Sequence, residues 1–222
     1  MLRFLLVFAV LGLGCGLVHG EIKDASIPSQ ALLSPEKEME LALKAAPAHL
    51  RSAASVYLFG KRGYEKTRTG TNGFSCMVNR DGTQSGDNTL HPTCWDPEGS
   101  RTILPVMLRV GELIAQEKSA AEIKRDIDEG FAQGRFHSPG KAGIAYMLAG
   151  DVKFDPNSGQ LGSNVFPPHY MIYAPGVTNA DIGMSKEATT PGLPFVYSGY
   201  SGGEKTAYII VMAGTSAGHT MP

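Results

Sequence analysis

Residues 100–134 read SRTILPVMLRVGELIAQEKSAAEIKRDIDEGFAQG, and this stretch decides the fold class. Ile103, Val106, Met107, Val110, Leu113 and Ile114 recur at helical spacing, so a helix is expected from a Ser100 cap to about Glu117. Pro105 lies deep for a helical start, which points to a tighter first turn. Ser119-Ala120-Ala121-Glu122 is a capping box that opens a second helix. Its apolar stripe is Ile123, Ile127 and Phe131, and Gly134 supplies the stop. Arg109, Glu112 and Gln116 form a polar stripe opposite the apolar face of the first helix and read as a solvated face.

This helical pair has strands on both sides. Upstream, Ser34-Pro35-Glu36 starts a short helix that should end near Ala46, ahead of Pro47. Strands are then expected at Ala53–Phe59, Tyr64–Thr69, Phe74–Val78 and, briefly, Thr93–Trp95, with Asp81–Asn88 as a polar loop. Downstream, strands are expected at Gly143–Leu148, His169–Ala174, Leu193–Tyr197 and Thr206–Met212. Long connections cover 150–168 and 175–192. Strands that do not alternate with helices predict an α+β fold: a mostly antiparallel sheet with a central helical pair packed on one face.

The chain has 222 residues, 42% hydrophobic and 18% charged, which is a globular composition. Twenty Lys+Arg stand against 21 Asp+Glu, so the net charge gives no nucleic-acid footprint. Arg3, the apolar run Phe4–Gly14 and the small residues before Glu21 read as a secretory signal, residues 1–20, cut near Gly20. A lead-in at 21–33, one α+β domain at 34–213 and a tail at 214–222 complete the expected organisation, with no membrane-spanning run after the leader. Export places the chain in the periplasm or outside the cell. Cys15 goes with the leader, unless it is lipidated; Gly12-Leu13-Gly14 is a poor lipidation sequence. Cys76 and Cys94 remain, an even pair in an exported chain, and a disulfide is expected. The competing reading, a metal or thiol site from His91 and Cys94, lacks a second paired ligand motif.

Catalytic patterns fail on context. Gly199-Tyr200-Ser201-Gly202-Gly203 and Gly214-Thr215-Ser216-Ala217-Gly218 both match the nucleophile-elbow spacing. The first leads towards an apolar strand instead of a helix, and too few residues follow the second for a helix. Gly203-Glu204-Lys205-Thr206 puts Glu where a phosphate loop needs Gly, and Asp155–Gly159 lacks the ligand series of a calcium loop and reads as a turn. His49, His91, His137, His169 and His219 show no metal-type spacing, and no cofactor is expected. Lys61, Arg62, Lys66 and Arg68, with Arg51 nearby, read as charges guarding an edge strand or as an anion-binding patch.

The segment from Pro167 to Asp181 carries the candidate site. His169 and Tyr173 lie at the two ends of one strand, and Asn179 and Asp181 lie in the loop after it. His169 would act as base or ligand, Asp181 would orient it, and Asn179 or Arg101 would polarise a substrate. The opposing reading is a structural corner in which Asp181 satisfies backbone N–H groups.

Gly70–Cys76, Glu98–Thr102 leading into Leu104-Pro105-Val106, and Pro167–Gly183 together resemble a group of predicted secreted bacterial proteins without assigned activity. The resemblance implies export and a single domain and carries no catalytic residue. The expectation is therefore an exported, disulfide-linked binding or interaction module, its partner a small molecule or an envelope component. The alternative is a hydrolase-type or metal-assisted enzyme with a site around His169 and Asp181.

Overall fold

The computed structural model describes residues 32–184 and 192–214. The expected leader, nearly all of the lead-in and the tail beyond residue 214, which holds Ser216 and His219, lie outside them.

The described residues form a mixed α+β fold with a mostly antiparallel open sheet. The chain begins with α1 (Pro35–Lys44) and α2 (Ala48–Arg51), then runs through β1 (Ser55–Gly60), β2 (Gly63–Arg68), β3 (Ser75–Asn79) and β4 (Thr89–Trp95). Three helices follow: α3 (Pro97–Thr102), α4 (Leu104–Ala115) and α5 (Ala120–Ala132). The remaining strands are β5 (Ile144–Met147), β6 (Asp151–Asp155), β7 (Gln160–Phe166), β8 (His169–Tyr173), β9 (Phe195–Tyr197) and β10 (Tyr208–Met212). The strand order is β2-β1-β3-β4-β5-β8-β10-β9, with β6 pairing the start of β4, and β7 pairing β6. Among the strands of the described residues only β1 and β3 pair in parallel.

Register turns strand alternation into two separate cores. Val56, Cys76, Cys94, Tyr146 and Tyr170 are successive cross-strand partners. The first three of these pack with Leu58, Val78 and Leu90 against Leu41 and Ala42 of α1 and Ala45 at its C-cap. The neighbouring row runs through Trp95, Ala145, Met171 and Ile210. These join Ile103, Val106, Met107, Val110, Ile123 and Ile127 in the second core.

Caps set the helix ends. The Ser34 hydroxyl accepts from Lys37 N, and Ser119 and Glu122 form the reciprocal capping box expected from sequence. Backbone and hydroxyl hydrogen bonds from Ser119, with Lys118 nearby, hold the Glu122 carboxyl down at about 2. Three boundaries differ from the sequence reading. The helix expected from Ser100 breaks at Ile103, because Pro105 has no N–H to extend a helix from α3, and Asp96 caps α3 through Gly99 N. The fourth strand begins at Thr89, not Thr93. The connection 150–168 contains the hairpin β6–β7, closed by a turn in which Asp155 accepts from Asn157 N and Ser158 Oγ.

The basic hairpin is tied into its own backbone. Arg68 donates to Ala54 O and Arg51 O, Arg62 pairs with Glu65, and Lys66 lies over the Tyr57 ring. The polar stripe on α4 is not wholly solvated: Arg109 grips Asp126 of α5 through two hydrogen bonds, 3.0 and 2.8 Å long.

Candidate functional site

The residues singled out from sequence are each held by different partners. Tyr173 is buried; its hydroxyl lies 2.8 Å from Asp96 Oδ1 and 2.9 Å from Ile144 O. Asp96 also accepts from Gly99 N and Ile144 N, so Tyr173 buttresses the start of α3. Burial and the Asp96 carboxylate push its phenol well above the ordinary tyrosine range. The Asp181 carboxylate accepts from Thr178 N and Thr178 Oγ1, closing its own loop. These hydrogen bonds pull its acidity below the usual carboxylate range. Asn179 accepts from Val196 N and donates to Val196 O, pairing with β9 as a strand edge would. Arg101 is mostly exposed and pairs with Glu98.

His169 alone among these enters a larger polar cluster. It opens β8 after Pro167-Pro168, and strand alternation puts it on the face of Met171 and Tyr173. Its Nδ1 lies 2.8 Å from Pro167 O, an acceptor only, so Nδ1 carries the proton. Phe166 packs edge-on against the ring at 4.9 Å. Burial holds its pKa below the usual histidine value, opposed by the Pro167 carbonyl and Asp151, while His91 acts in the same direction as burial.

His91, on β4, shares its face with Thr93 and Trp95. Its Nδ1 is 3.0 Å from Asp151 Oδ1, at the start of β6, but the two are out of line for a hydrogen bond. Both atoms are buried and neither has a hydrogen-bond partner. Tyr200 meets the His91 ring edge-on at 5.4 Å, and Tyr197 packs on Tyr200 at 5.0 Å. Asp81, after β3, accepts from both the backbone N–H and the hydroxyl of Ser201, linking the loop after β3 to the loop after β9. Burial raises the Asp81 carboxyl above its ordinary range against those two hydrogen bonds.

The first elbow-like motif is thus in the cluster but lacks elbow geometry. The Ser201 hydroxyl donates to a carboxylate, and the chain leaves it in the single 3₁₀ turn Gly203–Thr206. Among the described residues no group of three or more His, Cys, Asp or Glu is placed to hold a metal ion.

Sequence reading weighed His91 only as a metal or thiol-site partner of Cys94 and missed Asp151 and Asp81, because they lay in segments read as loop. The signal was present in part. Thr89–Trp95 alternates Leu90, Pro92 and Cys94 against His91, Thr93 and Trp95, and Asp151–Asp155 alternates strictly around Val152 and Phe154. Pro92, which cannot donate to a ladder, masked the first pattern.

Comparison of the chain with protein-family models, with curated proteins and with solved structures gives no match.

The depressed pKa of His169 has a sign. The fold favours its neutral form, so its contribution is fully present above the unfolded value of about 6.5 and is lost as pH falls from there through the folded pKa. Stability from urea unfolding should therefore fall between about pH 7 and pH 5, and His169→Gln should flatten that fall. Equal slopes in the two proteins would refute the assignment.

Proposed function

We propose that this chain is an exported, disulfide-linked binding module of the bacterial envelope or exterior, with its ligand contacted at the His91–Asp151 cluster. The observation that supports the reading is the gathering of buried ionisable and aromatic side chains, His91 against Asp151 at 3.0 Å and against Tyr200, and Asp81 on Ser201, drawn from β4, β6 and the loops after β3 and β9. Ionisable groups held in buried settings are concentrated at functional sites. The Cys76–Cys94 disulfide supports an oxidising, exported location. No helix among the described residues is long and apolar enough to cross a membrane. The leader-like N-terminus and the resemblance to predicted secreted bacterial proteins belong to the same reading. So does its architectural part, in which the α4–α5 pair is a rigid cover packed on one face of the sheet.

A hydrolase-type enzyme is the second reading. It is favoured by the electrostatic influence of His91 and Asp151 on His169, since pKa values displaced by burial mark acid–base sites. In that reading Asp151 replaces Asp181 as the orienting acid. The binding reading is preferred because Ser201 is bound to Asp81, with no imidazole as its partner.

Native mass of protein purified from the exported fraction without reductant tests the proposal. A retained small molecule, lost in His91→Phe, is the expected result. A bare chain that gains no mass and no thermal stability across a metabolite and envelope-fragment library would sink it.

A further inference from the structure

The hairpin β6–β7 hangs from the main sheet by three crossings. β4 pairs β6 through Thr89 and Leu90 and pairs β5 through Cys94 and Trp95, so His91 lies where it passes from the hairpin to the main sheet. Asp151 opens β6 after a turn closed by Gly150 N donating to Met147 O, with Gly150 at a φ of +67°. Phe166 ends β7, Pro167-Pro168 follow, and His169 opens β8. Each crossing thus carries an ionisable side chain. His91 faces Asp151 at 3.0 Å. Phe166 is the cross-strand partner of Asp151, and its ring packs on His169 at 4.9 Å.

Few other contacts hold the hairpin. Two residue pairs and a hydrogen bond from Phe154 N to Asn88 O join β6 to the β4 side, and register shifts interrupt the hairpin's own ladder. Val152 and Phe154 are its buried apolar anchors, packed with Leu90. Every residue of β7 before Phe166 is exposed, and an open groove of about 400 Å³, lined by Lys37, Leu41, Lys44 and Leu161, runs between β7 and α1. Asn164 Nδ2 donates to Ala149 O, and Lys153 meets Asp87 at 3.3 Å on the exposed side. A segment with so few buried contacts opens locally, ahead of the domain.

That opening is coupled to a proton. His169 is buried, with Nδ1–H fixed on Pro167 O, so an added proton goes to Nε2. Its cross-strand partners Met147 and Met212 carry no charge. Asp151 of β6 and His91 of β4 are the charged groups that reach it, and Asp81, after β3, and Asp87, before β4, act on His91 in turn. Burial disfavours the charged ring, and His91 adds to this against the Pro167 carbonyl and Asp151. Withdrawing Phe166 and Asp151 returns the ring to water, where it titrates near about 6.5. The open arrangement therefore binds the proton more tightly, and its population rises by up to about tenfold per pH unit as pH falls. We infer that β6–β7 is an acid-released arm, latched to the sheet by His91 and Asp151 and freed when His169 takes up a proton. Its release uncovers the apolar surface of Leu90, Val152 and Phe154. The device needs no ligand and goes beyond the binding reading.

Native-state hydrogen exchange of the full chain, corrected for the intrinsic pH dependence of exchange, tests this together with histidine-ring proton–nitrogen correlation spectra. The hydrogen-bonded amides of β6–β7 should exchange through an opening that low urea does not change. That opening should grow about tenfold or more between about pH 7 and about pH 5. Amides of β3 and β10 should stay more strongly protected at both values and follow global unfolding. The ring spectra should show His169 gaining its Nε2 proton over the same range. His169→Gln should remove the pH dependence of hairpin exchange. Asp151→Ala should raise hairpin exchange about tenfold at neutral pH; if His169→Gln fails to fold, this variant and the parent's own pH profile still decide. Hairpin and β10 amides that exchange alike, with the urea dependence of global unfolding, would overturn the arm. Hairpin exchange that does not change with pH in the parent, or changes as much in His169→Gln, would overturn the coupling to His169. Unaltered hairpin exchange in Asp151→Ala would overturn the latch.

Discussion

Glu38→Ala is expected to remove about 3–5 kcal/mol of folding stability, a large share of the 5–15 kcal/mol typical of a domain. Glu38 lies in the first turn of α1 and Arg80 follows β3; each side chain is 1% exposed. Two hydrogen bonds, 2.7 and 3.0 Å long, join the guanidinium to both carboxylate oxygens. The same carboxylate accepts from Phe59 N at 2.9 Å, and the guanidinium lies over the Phe59 ring at 4.7 Å. Tyr64 extends the network, donating to Val78 O and accepting from Arg80 N. One acid thus fastens α1 to β1 and to the end of β3. Burial works against the Arg80 charge, and Glu38 more than offsets it, so the guanidinium stays charged. Deleting Glu38 therefore strands a cation in a dry site. Replacing the pair together, Glu38→Leu with Arg80→Met, should cost much less than the single change, since apolar packing substitutes for a matched buried pair with little loss. Urea unfolding of the two single variants and the double variant forms the cycle. A Glu38→Ala loss below about 1 kcal/mol would show that the pair behaves as a surface ion pair does.

Nothing in the sequence distinguishes Glu38 from Glu36 or Glu40, all plausible in the first turns of a helix. Which acid faces inward depends on where the sheet lies, and that is long-range information. Locally encoded features read well. The Ser119–Glu122 cap, the stop at Gly134 with its φ of +72° and the β1–β2 hairpin each rest on a few adjacent residues. Features needing distant partners did not. The α3–α4 break depends on Asp96 being recruited by Gly99, Ile144 and Tyr173. His169 was legible as a chemically capable residue, but its neighbours come from β4 and β6, far from it in sequence. The loop acid nearest in sequence, Asp181, is satisfied by Thr178. Sequence proximity along one strand and its loop was the wrong guide. A cluster at one end of a sheet is assembled across strands, not along them.

Removing the disulfide should cost about 3 kcal/mol, the chain-entropy value for a loop of this size, with Cys76 and Cys94 separated by 18 residues. The two cysteines are directly opposed partners on β3 and β4, both fully buried. They sit between Val56 and Tyr146 in the row that faces α1. The bond closes the loop that contains Arg80 of the buried ion pair and Asp81 and His91 of the candidate site. Its loss frees the unfolded chain and should leave the folded register to the antiparallel ladder of five residue pairs between β3 and β4. Cys76→Ala with Cys94→Ala should therefore lower the urea midpoint and still give a folded protein with the His91 ring signals of the parent. Unfolding of the oxidised protein with and without reductant should show the same difference. An unchanged midpoint would mean that the denatured chain gains nothing from losing the link. A double variant that folds yet loses the His91 signals would mean that the bond shapes the site itself, and that the ladder alone does not hold β4 in register with β3.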